Sequence, residues 1–177
     1  MDTYVITLSQ QFPAKHPRKG EPTGFVDKIQ EALNYVKYFG IGGMQPTKRA
    51  KIHTMRTNWN LWSKRFRKIY EGKACLSLRV WSGKPYASKQ VEIARLTKAD
   101  GIGIQKLHLT DEIDMSGEYG IVESTWELFG IHGDTKVSYK HLAYNDGLSY
   151  EDWDAWFEKY DKSKPLAIIH FTKFRYR

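Results

Sequence analysis

A chain of 177 residues is long enough for one well-buried core and too short for two comfortable domains, so residues 1–177 read as a single domain. A hydrophobic share of 41% and a charged share of 27% exclude wholesale disorder; the single cysteine, Cys75, excludes an internal disulfide and reads as a small core residue in a reducing compartment. The net charge of +8 is concentrated, with eight Lys or Arg and no acid in residues 48–68, whereas 111–127 and 146–161 are acidic runs that read as solvated surface.

Taken in chain order, residues 4–8 form a β-branched run that predicts the first strand, ended by a polar, proline-containing stretch. Phe25, Ile29, Leu33 and Val36 recur at helical spacing and predict an amphipathic helix ending near Gly40. A glycine-rich loop follows, and its GIGG lacks the spacing of a dinucleotide-binding turn. Residues 20–47 together read as a helical and loop insertion. Trp59, Trp62, Phe66 and Ile69 predict a second helix over 59–69, with Trp62 and Phe66 assigned to the core and Trp59 left open. After Gly72, β-rich runs occupy 74–81, 90–96 and 102–109, and Gly83-Lys84-Pro85 turns the first into the second. A more broken run covers 119–129. Ser149 and Asp152 resemble a capping box, and Trp153, Trp156, Phe157 and Tyr160 share one helical face that reads as core. An alternating strand closes the chain after Pro165. Short strands, few helices and no β-α-β alternation predict an α+β fold: a small, mostly antiparallel or mixed β-barrel with helices at its rim. No positively charged start precedes a long apolar run, and no stretch approaches eighteen apolar residues, so a soluble, cytoplasmic protein is expected.

Cationic side chains attract a phosphate backbone, and planar rings among them offer faces for unpaired bases. Lys48, Arg49, Arg56 and Trp59 supply that mixture, with His53 inside the same motif, and Arg79, Trp81, Lys84 and Tyr86 repeat it; the two segments read as one nucleic-acid surface. Lys51 and Thr54 in KIHTMR lie on one side of a bend, where a desolvated, neutral Lys51 would accept the Thr54 proton; the same spacing also describes a basic surface turn. Glu92 is one carboxylate in an apolar, alternating strand, read either as solvent-facing or as lining a cleft. Six scattered histidines without a ligand spacing give no metal site, and no cofactor motif is present.

Through Lys51, Thr54, Arg56 and Glu92 the chain resembles the ASCH family, relatives of the PUA domain built on a small β-barrel. The likeness rests on Lys51-Ile52-His53-Thr54-Met55-Arg56, the LSLRVWSGKPY stretch, Gln90-Val91-Glu92-Ile93 and the closing AIIHFTKF, and is strongest to bacterial and phage members. The resemblance implies an RNA, nucleoside or nucleotide ligand in a cleft between the barrel and the basic motif. It also implies an alternative, an amidohydrolase on N4-acetylcytidine with Thr54 as nucleophile, Lys51 as its activator and Glu92 as the proton-handling carboxylate. A ribonuclease is the remaining alternative.

Overall fold

Every residue of the closing strand is buried, and that strand organises the molecule. The computed structural model describes residues 1–39, 50–115, 117–123 and 134–177. In order, the elements are β1 (Asp2–Thr7), α1 (Phe25–Phe39), β2 (His53–Arg56), α2 (Trp59–Tyr70), β3 (Ala74–Trp81), β4 (Gln90–Leu96), β5 (Gly103–Asp114), β6 (Gly117–Glu123), β7 (Asp134–Ser138), α3 (Tyr139–Asn145), α4 (Tyr150–Phe157) and β8 (Leu166–His170). On β8, Ala167 and Ile169 face one apolar cluster and Leu166 and Ile168 face the other, as the period of two requires. It is the shared wall of two cores.

The first core packs α2 through Trp62, Phe66 and Ile69 against β3 through Leu76, Leu78 and Val80. Asn58 caps α2, its side chain accepting the Leu61 N–H at 3.1 Å. The second core joins β5 and β6 to α3 and α4 through Leu107, Val122, Leu142 and Trp153. Ser149 caps α4, accepting the Asp152 N–H at 3.1 Å, as the sequence pattern predicts. Helix α1 touches both clusters, Phe25 in the second and Ile29 in the first.

The fold is α+β, with eight strands and four α-helices among the described residues, but its sheets do not close into the expected barrel. One sheet runs β1-β3-β4, with β1 and β3 parallel; the other runs β2-β8-β5-β6-β7 and is antiparallel throughout. Among the described residues no backbone ladder joins edge strands β1 and β2; the Arg56 guanidinium lies in the seam between them and donates to the Thr7 carbonyl at 3.1 Å. The glycine-rich loop predicted after α1, together with Lys48 and Arg49, lies outside the described residues, as does the latter half of the run predicted at 119–129. No helix among the described residues is long and apolar enough to cross a membrane.

Candidate functional site

The unclosed seam is a cleft of about 520 Å³, within the usual range for a small-molecule site. Residues 7–9 at the end of β1 form one wall and 54–57 of β2 and its exit form another. Phe25 of α1 and Trp156, Phe157 and Tyr160 at the end of α4 supply rings, and Lys159 stands exposed at the rim.

Lys51 and Asp146 form the floor. An isolated antiparallel bridge joins these two residues, with the Ile52 N–H donating to Asn145 O at 3.0 Å. The Asp146 N–H caps α3 by donating to Leu142 O at 2.9 Å, which fixes the carboxylate in place. The Lys51 ammonium donates to the Asp146 carboxylate and, at 2.9 Å, to the Asp146 carbonyl; it also lies 4.1 Å from the Phe25 ring centroid. The two side chains are 1% and 7% exposed. Burial pushes the lysine below its ordinary range and the carboxyl above its own, and each partner's charge opposes the shift of the other. Gly147 follows at φ +75, and a Cβ there would meet the Lys51 Cβ at 3.0 Å, so the close approach of these chains needs glycine.

Arg56 is held differently. Its guanidinium donates to Thr54 Oγ1 at 2.9 Å, to the Met55 carbonyl at 2.9 Å and to the Thr7 carbonyl at 3.1 Å, all neutral acceptors. No carboxylate pairs with it among the described residues; burial pulls its affinity for a proton below the ordinary arginine value, and the Asp146 charge opposes that only in part. The cleft therefore holds three cations, Lys51, Arg56 and Lys159, against the single carboxylate of Asp146.

Of the residues singled out in the sequence, Lys51, Thr54 and Arg56 meet in this cleft. His53 does not line it: fully buried, it shares a 2.8 Å hydrogen bond between Nε2 and the Tyr176 hydroxyl, and burial holds it well below the ordinary histidine value. Trp59 packs half-buried against the first core. Glu92 lies on β4 in the other sheet, accepting from the Ser77 hydroxyl and, at 2.8 Å, from Arg95, with Arg79 at 3.8 Å. The Ser77 hydrogen bond, then Arg95, hold it below the ordinary carboxylate range. No hydrogen bond or ion pair links Glu92 to Lys51 or Thr54 among the described residues. Arg79, Trp81, Lys84 and Tyr86 sit together on the β3–β4 hairpin. Cys75 is buried, 3.1 Å from Arg95 Nη1.

Sequence reasoning missed Asp146, Phe25 and the cleft-facing rings of α4. Asp146 belongs to a run read as solvated, yet it is 5% exposed, and its only local signal is the Asp-Gly pair that ends α3. Trp153, at 1% exposure, is core as expected, and Trp156, Phe157 and Tyr160 pack half-buried against that core while also lining the cleft. No group of three or more metal-ligating side chains forms among the described residues.

Compared with known proteins, the chain matches no family model, no curated protein and no solved structure.

Proposed function

We propose that the cleft binds a nucleotide, free or as part of an RNA strand, with its phosphate against Arg56 and its base among the rings at the end of α4. The observation that carries this reading is the Arg56 guanidinium, half-buried in the seam and bonded, among the described residues, only to neutral acceptors. A cation so held gains most from an anion that adds charge-assisted hydrogen bonds. Trp156 and Tyr160 line the same cleft and offer planar rings, and Thr54 and Asp146 offer acceptors for the N–H groups of a base edge. The volume of about 520 Å³ accommodates one nucleotide and not a duplex.

Calorimetric titration with the four ribonucleoside 5′-monophosphates, the matching nucleosides and inorganic phosphate tests it. At least one monophosphate should bind more tightly than its nucleoside, and Arg56→Gln should erase that difference. Equal affinity for nucleoside and monophosphate, or none for either, refutes the reading.

The second reading is hydrolysis of an N4-acylated cytidine, favoured by Thr54 and Lys51 lining one cleft. The Thr54 oxygen accepts from Arg56, which leaves its own proton to give to a base. To take that proton Lys51 would first have to pass one of its own to the Asp146 carboxylate, and Asp146, so protonated, would stand in for Glu92 as the nearby acid. Acetate release from N4-acetylcytidine, compared with Thr54→Ala, tests this; equal release by both chains removes Thr54 from any mechanism.

A further inference from the structure

The tip of the β3–β4 hairpin presents an aromatic pair that no core residue needs. Tyr86 is 91% exposed, and its backbone adopts φ 63, a left-handed conformation uncommon for a bulky residue and a mark of imposed local strain. Its ring lies 5.3 Å from that of Trp81 at an interplanar angle of 51°. The loop that carries it is internally braced: Ala87 and Ser88 N–H groups donate to the Lys84 carbonyl at 3.2 and 3.0 Å, and the Gly83 N–H donates to Ser88 Oγ at 3.0 Å. The strained tyrosine is thus held out into solvent by a defined turn.

Charge and position give this pair an occupant. Lys84 and Lys89 are exposed on the same loop, and no acidic side chain among the described residues pairs with either. Arg79 stands at the base of the hairpin opposite Glu92. The base of the hairpin also adjoins the cleft: the Gln90 side-chain amide donates to Thr7 Oγ1 at 3.0 Å, the Leu8 N–H donates to Arg79 O at 2.8 Å, and both Thr7 and Leu8 line the cleft. Two strand spacings, roughly 10 Å, separate β1 from β4 in this sheet. Two planar rings tilted to each other, flanked by lysines without an acidic partner among the described residues, suit stacked bases and their phosphates.

We propose that the Trp81–Tyr86 pair is a second binding site, a stacking platform for a single strand of nucleic acid whose neighbouring nucleotide occupies the cleft across Thr7 and Gln90. This rests on the nucleotide reading of the cleft and extends it, since the substrate becomes a single strand rather than a free nucleotide. Lys84 and Lys89 meet the phosphates between the two positions. A duplex is excluded, because its bases are already stacked and paired.

Fluorescence anisotropy with end-labelled eight-nucleotide ribo-U, ribo-A and deoxy-T strands, and a matching duplex, tests the platform beside the mononucleotide titration. Trp81→Ala/Tyr86→Ala should weaken the best single strand by about tenfold or more and leave mononucleotide affinity unchanged. Tyr86→Ala alone, at a position 91% exposed, should give part of the loss with unaltered thermal unfolding. Lys84→Ala/Lys89→Ala should reduce the salt slope by about one to two units. Single-strand affinity unchanged by Tyr86→Ala and by the double aromatic variant overturns the platform and leaves the cleft reading standing. Duplex binding as tight as single-strand binding also overturns it. Strand binding that needs Tyr86 but is indifferent to Arg56→Gln, with no mononucleotide binding, overturns the cleft reading and the continuous path together.

Discussion

Replacing Asp146 with Ala would leave the Lys51 ammonium at 1% side-chain exposure without its counter-charge. The Asp146 carbonyl still accepts from Nζ at 2.9 Å, so one hydrogen bond survives while the carboxylate bond is lost. Breaking a buried pair by removing one partner costs about 3–5 kcal/mol, because an uncompensated charge stays behind. In a chain of this size each kcal/mol corresponds to about 2–4 °C, so thermal unfolding at pH 7 should fall by roughly 6–20 °C. The deficit should shrink at higher pH. Without the carboxylate, burial depresses Lys51 further, the unfolded chain binds more protons than the folded one, and stability rises with pH until the unfolded lysine also deprotonates. The double variant Lys51→Met/Asp146→Leu should recover part of the loss, since apolar side chains of similar size tolerate the site. A fall of under about 2 °C for Asp146→Ala, the size expected of an exposed ion pair, would refute the placement of this pair in a dry floor.

His53 and His170 are fully buried and held well below the ordinary histidine value, first of all by burial. A folded-state value below the unfolded one makes their contribution complete above about pH 6.5, and that contribution declines as pH falls from there toward the depressed folded values. The slope is about 1.4 kcal/mol per pH unit for each histidine; urea midpoints at pH 7.5 and 5.5 should differ, His170→Leu should about halve the difference, and a flat profile would contradict the burial. Gly147→Ala should destabilise the chain by more than about 1 kcal/mol, because φ +75 and the 3.0 Å approach to Lys51 both oppose a side chain; an unchanged denaturation midpoint would show that this turn relaxes freely. Glu92→Gln should leave nucleotide affinity within about twofold of wild type, since Glu92 bonds with Ser77 and Arg95 outside the cleft; a tenfold loss would return Glu92 to the site.

Periodicity was legible wherever an element meets one uniform environment. The runs at Ala74–Trp81 and Gln90–Leu96 coincide with β3 and β4, and the stripe through Phe25 and Ile29 marks α1. The same signal is silent about what covers an apolar face. Trp153, Trp156 and Phe157 lie on one side of α4, yet only Trp153 is fully enclosed by the core; Trp156 and Phe157 pack against it half-buried and also line the cleft. The basic motif misleads in the opposite direction: Lys51, His53, Thr54 and Met55 are all buried, since the strand they form pairs with β8 and bends inward against Asp146. Lys64, Arg67 and Lys68 of α2 remain on the surface as their charge suggests. Strand β7 and helix α3 escaped because each is short, at five and seven residues, and neither completes enough periods to register. The partner of Lys51 is 95 positions away in sequence, a separation that no local spacing encodes. Closure was overestimated because strand count does not reveal whether two edges pair, and here one arginine side chain stands between them.

The most direct test of a nucleotide cleft at this seam is amide and indole chemical-shift mapping with the tightest-binding ribonucleoside monophosphate. The perturbed signals should cluster on Thr54, Met55, Arg56, Asp146 and the Trp156 indole, and vanish in Arg56→Gln. Perturbations confined to α2 or to the β5–β6 face, with the Trp156 indole unmoved at saturation, would contradict it.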